Sequence, residues 1–104
     1  MKREQIIEKI KLLASKLTSE GGKVYLFGSQ ARGDYRADSD WDVLVLLNKD
    51  RIDNRDFDNI AYPMIEMGWE YGADISPKMY TFKDWCKRSF TPFYKNVTTD
   101  SIQL

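Results

Sequence analysis

Histidine is absent from this chain of 104 residues. Its absence excludes histidine metal ligands, histidine general bases and every serine or cysteine triad that relies on one. Cysteine occurs once, at Cys86, so no internal disulfide can form, and the simplest interpretation of Cys86 is a small buried residue. Any chemistry must therefore come from carboxylates, hydroxyls and cations.

Net charge and long apolar runs are also missing. Sixteen Lys and Arg residues balance sixteen Asp and Glu residues, which gives no overall attraction to anionic lipid or nucleic acid, so DNA binding is not favoured. No apolar run is long enough to span a bilayer, and the N-terminus begins with charged residues, so we expect a cytoplasmic protein without a membrane partner. The length predicts one domain over residues 1–104, with no room for a separate substrate domain.

Apolar periodicity in the first half of the chain predicts one helix and two strands. Apolar residues recur at helical spacing over residues 2–17, which predicts an amphipathic helix. The β-branched and aromatic run Val24–Phe27 predicts a buried strand that stops at a glycine. Trp41–Leu47 is almost entirely apolar and predicts a strand covered on both faces, in the centre of a sheet.

The second half predicts a helix, a third strand and a helical tail. Residues 57–65 keep helical spacing, although Pro63 should kink or divide the helix. Ala73–Thr81 predicts a strand in which Pro77 favours an edge position or a bulge. Thr91 and Pro92 are typical of an N-cap and a first helical residue. This order predicts an α/β (α+β) fold, a small mixed sheet with packed helices, and a helical crossover that makes the second and third strands parallel.

The segment from Gly28 to Gly33 has features that favour an anion such as a phosphate. Gly28 lacks a Cβ, so the chain can bend sharply after the first strand and a phosphate can approach the backbone. Ser29 can cap the next helical turn, where free N–H groups attract negative charge. Arg32 adds a guanidinium fork suited to phosphate oxygens. Taken singly, each feature is better explained as an ordinary turn or a solvated side chain.

Asp40 and Asp42 stand at the start of the predicted central strand. Residues two apart on a strand point to the same face, with Cα atoms about 6 to 7 Å apart, which suits Mg²⁺ shared with phosphate oxygens. A polar loop is the alternative, but carboxylates beside an apolar strand are costly to bury unless a cation compensates them. Asp74, next to the third strand, is a candidate third carboxylate and equally a simple turn acid.

The residues from Gly28 to Gly33, the ten residues between Ser29 and Asp40, and the Ser-Asp-x-Asp motif at 39–42 together resemble the minimal nucleotidyltransferases of the DNA polymerase β superfamily. The resemblance covers essentially the whole chain, including the closing segment 92–97. It implies a polymerase β-like palm with two Mg²⁺ ions and bound nucleotide. The implied metal ligands are Asp40, Asp42 and Asp74, and the implied nucleotide contacts are Gly28, Ser29, Arg32 and Ser39.

The same resemblance implies transfer of a nucleoside monophosphate, AMP from ATP in the first instance, to an acceptor hydroxyl, with Asp74 helping to activate the acceptor. Larger relatives carry an acceptor-binding domain after this region, so the acceptor would come from a partner. Minimal members of the family are often the antitoxin half of a pair with a helical HEPN protein, and some transfer AMP to a tyrosine of that partner. Two alternatives stay open: a module that neutralises such a partner by occlusion without catalysis, and a homodimer that frames a small-molecule acceptor between exposed aromatic residues.

Overall fold

The computed structural model of the chain describes residues 2–36 and 39–104. A four-stranded sheet lies between two sets of helices, which confirms the predicted mixed sheet with packed helices, although the sequence predicted only three strands. The elements in chain order are α1 (Lys2–Leu13), α2 (Ser15–Ser19), β1 (Lys23–Phe27), α3 (Ser29–Arg32), β2 (Trp41–Leu47), α4 (Asn54–Asp56), a π-helical segment (Phe57–Ala61), α5 (Tyr62–Glu70), β3 (Ile75–Thr81), α6 (Phe82–Lys87), α7 (Pro92–Asp100) and β4 (Ile102–Gln103).

The strands follow the order β3, β2, β1, β4 across the sheet. β2 runs antiparallel to β1, with Phe27 opposite Asp42, and parallel to β3, with Trp41 opposite Ile75. The predicted central position of the second strand and the predicted parallel crossover are therefore confirmed. β3 is an edge strand, which confirms the position that Pro77 favoured, because a residue without an N–H is tolerated where no further strand has to pair.

Alternate residues of β2 face two different cores. Val43 and Val45 pack against Ile6 and Ile10 of α1 and against Met64 of α5, and all five side chains are buried. On the other face, Leu44 and Leu46 pack against residues of α6 and α7, namely Trp85 and Val97. The strand is therefore apolar at nearly every position because each of its faces is covered by helices.

Two predicted helices are divided. The helix predicted over residues 2–17 breaks at Ala14, which has φ −92° and ψ 0°, so α1 and α2 are separate. The helix predicted over residues 57–65 consists of a π-helical segment followed by α5, in which Pro63 occupies the first turn. Ala61 and Tyr62 keep right-handed helical angles, so Pro63 lies inside a continuous helical run, and the change from π-helical to α-helical hydrogen bonding falls just before this residue, which has no N–H to donate.

The helical tail begins as the sequence predicts. The Thr91 hydroxyl accepts a hydrogen bond from the Tyr94 backbone N–H at 3.2 Å, which makes Thr91 the N-cap of α7. Two neighbouring elements were not predicted from the sequence. α6 is capped by Thr81, and β4 pairs with β1 at the far edge of the sheet. The third strand begins at Ile75, two residues later than predicted.

Cys86 is exposed, so its interpretation as a small buried residue is wrong. On the short helix α6 the neighbouring Trp85 takes the inward position and is 5% exposed. The next residue lies about 100° around the helix axis and faces solvent. Within the described residues, no helix is both long and apolar enough to cross a membrane.

Candidate active site

The turn after β1 brings the backbone of Gly28 against the carboxylate of Asp42. Gly28 has φ +72° and ψ −154°, a combination that is essentially restricted to glycine. A Cβ at this position would overlap Oδ2 of Asp42, because Phe27 and Asp42 are directly opposite each other on β1 and β2. Glycine is thus required twice here, once by the backbone and once by the neighbouring carboxylate.

The short helix α3 begins one residue earlier than the sequence predicts. Gly28 occupies the N-cap position and its carbonyl accepts hydrogen bonds from the N–H groups of Ala31 and Arg32, each at 3.1 Å. Ser29 is the first helical residue and its side chain makes no capping bond, so its predicted role as the cap is wrong. The Ser29 hydroxyl lies at the start of α3, directly after the glycine turn that touches Asp42.

Asp40 and Asp42 form the acidic part of the site. Asp42 is the second residue of β2 and is partly buried, whereas Asp40 precedes the strand and is exposed. Burial raises the pKa of the Asp42 carboxyl above its ordinary value, and the negative charge of Asp40 raises it further, while Lys78 and Arg32 act in the opposite direction. The two acids therefore repel each other in a partly desolvated place, where a bound cation would relieve the repulsion.

Lys78 is a charged neighbour of Asp42 that we did not predict. Parallel pairing sets Ser76 opposite Asp42 and Lys78 opposite Leu44, so Lys78 lies on the same face of the sheet as Asp42, two residues further along β3. This neighbour could be identified only once the register of β2 and β3 was known. Side chains alternate along a strand, and the pairing decides which ones share a face.

Arg32 is held by two carboxylates at the end of α3. Its Nε donates to Asp34 at 3.3 Å, and its Nη1 lies 3.5 Å from Oδ2 of Asp100, at the end of α7. Asp34 raises the pKa of the Arg32 guanidinium most, through its hydrogen bond and its charge, and Asp100 raises this pKa less by the same two effects. Any phosphate that Arg32 binds must compete with these two acids.

Ser39 and Asp74 lie just before β2 and β3, respectively. The backbone carbonyl of Asp74 accepts a hydrogen bond from the Trp41 N–H at 2.8 Å, which extends the β2–β3 pairing to the residue before β3. Ser39 Oγ accepts a hydrogen bond from the Arg36 N–H at 2.7 Å. Both residues line a cavity of about 350 Å³ on the α1 side of the sheet.

No group of three or more acidic or cysteine side chains that could hold a metal comes together within residues 2–36 and 39–104. The structure thus brings Gly28, Asp42 and Asp40 together, with the charge of Arg32 acting on Asp42, but does not assemble Asp74 with the other two acids. The pair Asp40 and Asp42 fits a hard divalent cation that takes its remaining ligands from phosphate oxygens and water. A third protein ligand at Asp74 stays a prediction.

The site combines a glycine turn, a short helix and two carboxylates at the start of a central strand. On a mixed sheet covered by helices, this combination is typical of nucleotidyltransferase folds. The family model described as "Nucleotidyltransferase domain" matches residues 5–103. The protein named "Putative protein adenylyltransferase MJ0604" from Methanocaldococcus jannaschii is 31% identical over 105 residues, which span 100% of this chain and 99% of that protein. The chain belongs to the nucleotidyltransferase family.

Two solved structures share the fold. A crystal structure of a toxin–antitoxin with AMP-PNP has a TM-score of 0.61 and 23% identity, and covers 92% of this chain and 69% of that one. A crystal structure of a putative nucleotidyltransferase from Sulfolobus solfataricus has a TM-score of 0.51 and 18% identity, and covers 99% of this chain and 86% of that one. Both are consistent with the polymerase β-like fold expected from the sequence.

Proposed function

We propose that the protein is a Mg²⁺-dependent nucleotidyltransferase that binds ATP at the Gly28 turn, beside Asp42, and transfers AMP to a hydroxyl of a partner protein. The observation that carries this proposal is the contact between Gly28 and Asp42. It sets the turn that suits a phosphate directly against a carboxylate whose raised pKa records burial and repulsion by Asp40. A site that holds a triphosphate with its metal needs these two groups side by side.

Each residue of the site has a distinct task in this proposal. Asp40 and Asp42 would hold Mg²⁺, with Asp74 as the third ligand that the family resemblance implies and two ions as the implied number. The bound ion would supply positive charge to the phosphate oxygens during transfer. Ser29 donates hydrogen bonds to phosphate oxygens, and Arg32 exchanges its carboxylate partners for them.

The transfer itself is a displacement at the α-phosphorus. The acceptor oxygen forms a bond to this phosphorus while the bond to the bridging oxygen of the β-phosphate breaks, and pyrophosphate leaves with the electron pair. The proton of the acceptor hydroxyl passes to Asp74, which lies exposed beside Ser39 at the edge of the site. Most of the rate enhancement then comes from positioning and charge.

The choice of acceptor is supported by the relatives. One relative is named as a protein adenylyltransferase, and one structure of the same fold is a toxin–antitoxin with AMP-PNP. We propose a helical HEPN-type partner in the cytoplasm as the acceptor, with a tyrosine as the modified residue. The whole of residues 1–104 would then serve as one catalytic domain.

The test is transfer of label from α-labelled ATP to a candidate partner protein in the presence of Mg²⁺. We expect the wild-type chain to label the partner and Asp42→Asn to lower the rate by at least about 100-fold, since the substitution removes a charge that acts at the reacting phosphate. Asp50→Asn is the matched control, because Asp50 is an exposed acid in the loop after β2. Equal labelling by wild type and Asp42→Asn would refute the site.

The absence of an assembled group of three acids within the described residues favours one alternative function. The protein would neutralise a toxic partner by covering it and would use the nucleotide site weakly or not at all. This alternative predicts that Asp40→Asn/Asp42→Asn still protects cells from the partner. The transferase proposal predicts that protection is lost although the complex still forms.

A further inference from the structure

The cavity that Ser39 and Asp74 line suggests a second function. Its volume is about 350 Å³, and its walls come from the first turn of α1, the loop before β2 and the turn before β3. Trp41 lines it on the α1 face of β2, whereas Asp42 belongs to the opposite face. The cavity therefore lies on the other face of β2 from the Gly28 and Asp42 contact, and Asp74 is one of its lining residues.

Arg3 is fixed in the wall of this cavity. Its Nη2 donates to the carbonyl oxygen of Gln30 at 2.7 Å. Its guanidinium carbon lies 4.9 Å from the ring centre of Tyr35 and 5.8 Å from that of Trp41. A guanidinium held by a hydrogen bond and two aromatic rings is ordered before any ligand arrives, so an anion binds it with little further loss of side-chain entropy.

The cavity is cationic although the whole chain is neutral. Lys2, Arg3 and Arg36 line it, and Asp74 is the one acid among its lining residues. None of the three cations forms an ion pair within the part of the chain that the structure describes. No carboxylate neutralises their charges there, so these charges are available to an anionic ligand.

Two buried polar atoms at the cavity have no partner among the described residues. Gln30 is 3% exposed and its Oε1 accepts no hydrogen bond, while Nε of Arg3 donates none. Both atoms are closed to solvent, so a ligand in the cavity does not reach them, and the charged side chains that line the cavity select the ligand instead. The fitting ligand carries an anionic oxygen for the guanidinium of Arg3.

We propose that this cavity binds an acidic side chain, an aspartate or glutamate, next to the acceptor hydroxyl of the partner protein, and so presents that hydroxyl to Asp74. This proposal rests on the proposed transferase function. An acidic peptide segment supplies the required carboxylate. The volume holds one or two side chains, and the neutral net charge offers no long-range attraction to a nucleic-acid strand, which is the other source of anionic oxygen.

Binding is tested with blocked peptides and the ¹⁵N-labelled full chain, without ATP or Mg²⁺. We expect acetyl-Asp-Tyr-Asp-amide to shift the indole signal of Trp41 and the side-chain amide signals of Gln30. Acetyl-Asn-Tyr-Asn-amide should bind at least about tenfold more weakly, as expected when a charge-assisted hydrogen bond is lost. Arg3→Gln and the exposed Arg36→Gln should weaken the acidic peptide similarly, whereas Lys9→Gln, an exposed change on α1 outside the cavity, should not.

Several outcomes overturn the proposal. One is equal binding of the acidic and neutral peptides, and another is the absence of any shift at Trp41 and Gln30. A third is displacement of the acidic peptide from these signals by oligothymidylate or by ATP, which would assign the cavity to a nucleic acid or to the nucleotide. Peptide binding should survive Asp42→Asn, so failure of the nucleotide site and failure of the cavity are distinguished.

The link to the acceptor is tested by labelling the same two peptides from α-labelled ATP. We expect kcat/KM to be at least about tenfold higher for the acidic peptide, and the ratio to fall towards one in Arg3→Gln. An unchanged ratio in Arg3→Gln would overturn the proposed role in acceptor choice. Absence of labelling of both peptides, with acidic-peptide binding intact, would reject the delivery of the acceptor to Asp74.

Discussion

Folding and function place opposing demands on individual residues of the site, and most clearly on Asp42. Burial and Asp40 raise its pKa in the folded chain above the value in the unfolded chain. The folded state then binds more protons between the two pKa values, so stability is greatest below the unfolded pKa and falls as the pH rises through the folded pKa. At neutral pH the ionised Asp42 therefore destabilises the metal-free fold.

Asp42→Asn removes that charge. We expect the variant to unfold at a higher temperature than wild type at pH 7 in EDTA, and the difference to disappear at acidic pH, where Asp42 is protonated. Thermal unfolding followed by circular dichroism measures both. Asp50→Asn serves as the control and should stay within about 0.5 kcal/mol of wild type, as surface substitutions do. A lower unfolding temperature for Asp42→Asn at pH 7 would contradict the assigned cause.

Gly28 and Gly33 allow a matched comparison at the residue scale, since both have positive φ. Gly28→Ala adds a strained backbone and a Cβ that overlaps Asp42, so we expect the free energy of unfolding to fall by about 2–6 kcal/mol, the sum of a strain and an overpacking contribution. At Gly33 a Cβ meets nothing within 4 Å, so Gly33→Ala should cost only about 1–2 kcal/mol. Urea unfolding measures both, and equal losses would show that the contact with Asp42 is unimportant.

Elements that are distant in sequence meet at Arg32, because α7 brings Asp100 to the end of α3. If Arg32 binds phosphate, Asp100 competes with the nucleotide. We expect Asp100→Asn to tighten binding of Mg²⁺-ATP by up to about fivefold, since an exposed ion pair is worth at most about 1 kcal/mol. Arg32→Gln should weaken binding by more than about tenfold.

Calorimetric titration of Mg²⁺-ATP measures these affinities. Asp84→Asn, an exposed acid on α6, is the control for the loss of one negative charge. If Asp84→Asn tightens binding as much as Asp100→Asn, the effect is one of overall charge. In that case Arg32 is not restrained by α7.

The elements that the sequence predicted are those set by local pattern. β2 was predicted with its observed bounds because an apolar run with both faces covered is recognisable by itself, and the cap at Thr91 depends on neighbouring residues only. α6 and β4 were missed because six and two residues give too little periodicity. Their stability comes from packing on the sheet, with α6 on β3 and β2 and with β4 paired to the distant β1. The π-helical segment before Pro63 likewise has no simple sequence pattern.

The residues of the candidate site also fall into two groups, those that local sequence predicted and those that it did not. Gly28 and the Asp40 and Asp42 pair follow from a short spacing and were predicted. Lys78 depends on the register of β2 and β3, and the Asp100 partner of Arg32 depends on a contact across 68 positions of the chain. No local pattern encodes either one, since both arise only when the strands and α7 have packed.

At the scale of the whole molecule, the site joins elements from both halves of the chain, so ligand binding should stabilise the entire fold. Gly28, Asp42, Arg32 and Asp100 belong to the β1 turn, β2, α3 and α7. A ligand that binds only the folded state at 100 times its dissociation constant adds about 2.7 kcal/mol to the free energy of unfolding. For a chain of this size that corresponds to a rise of roughly 10 °C or more in the unfolding temperature.

We therefore expect Mg²⁺-ATP to raise the unfolding temperature of wild type by this amount, and ATP with EDTA to raise it far less. Asp40→Asn/Asp42→Asn should start from a higher temperature, because the repulsion is gone, and should then show no response to Mg²⁺-ATP. A wild-type chain that shows no response would mean that the nucleotide site is incomplete without the partner. That result would favour neutralisation by occlusion over transfer by the isolated chain, because a nucleotide that is not bound cannot be transferred.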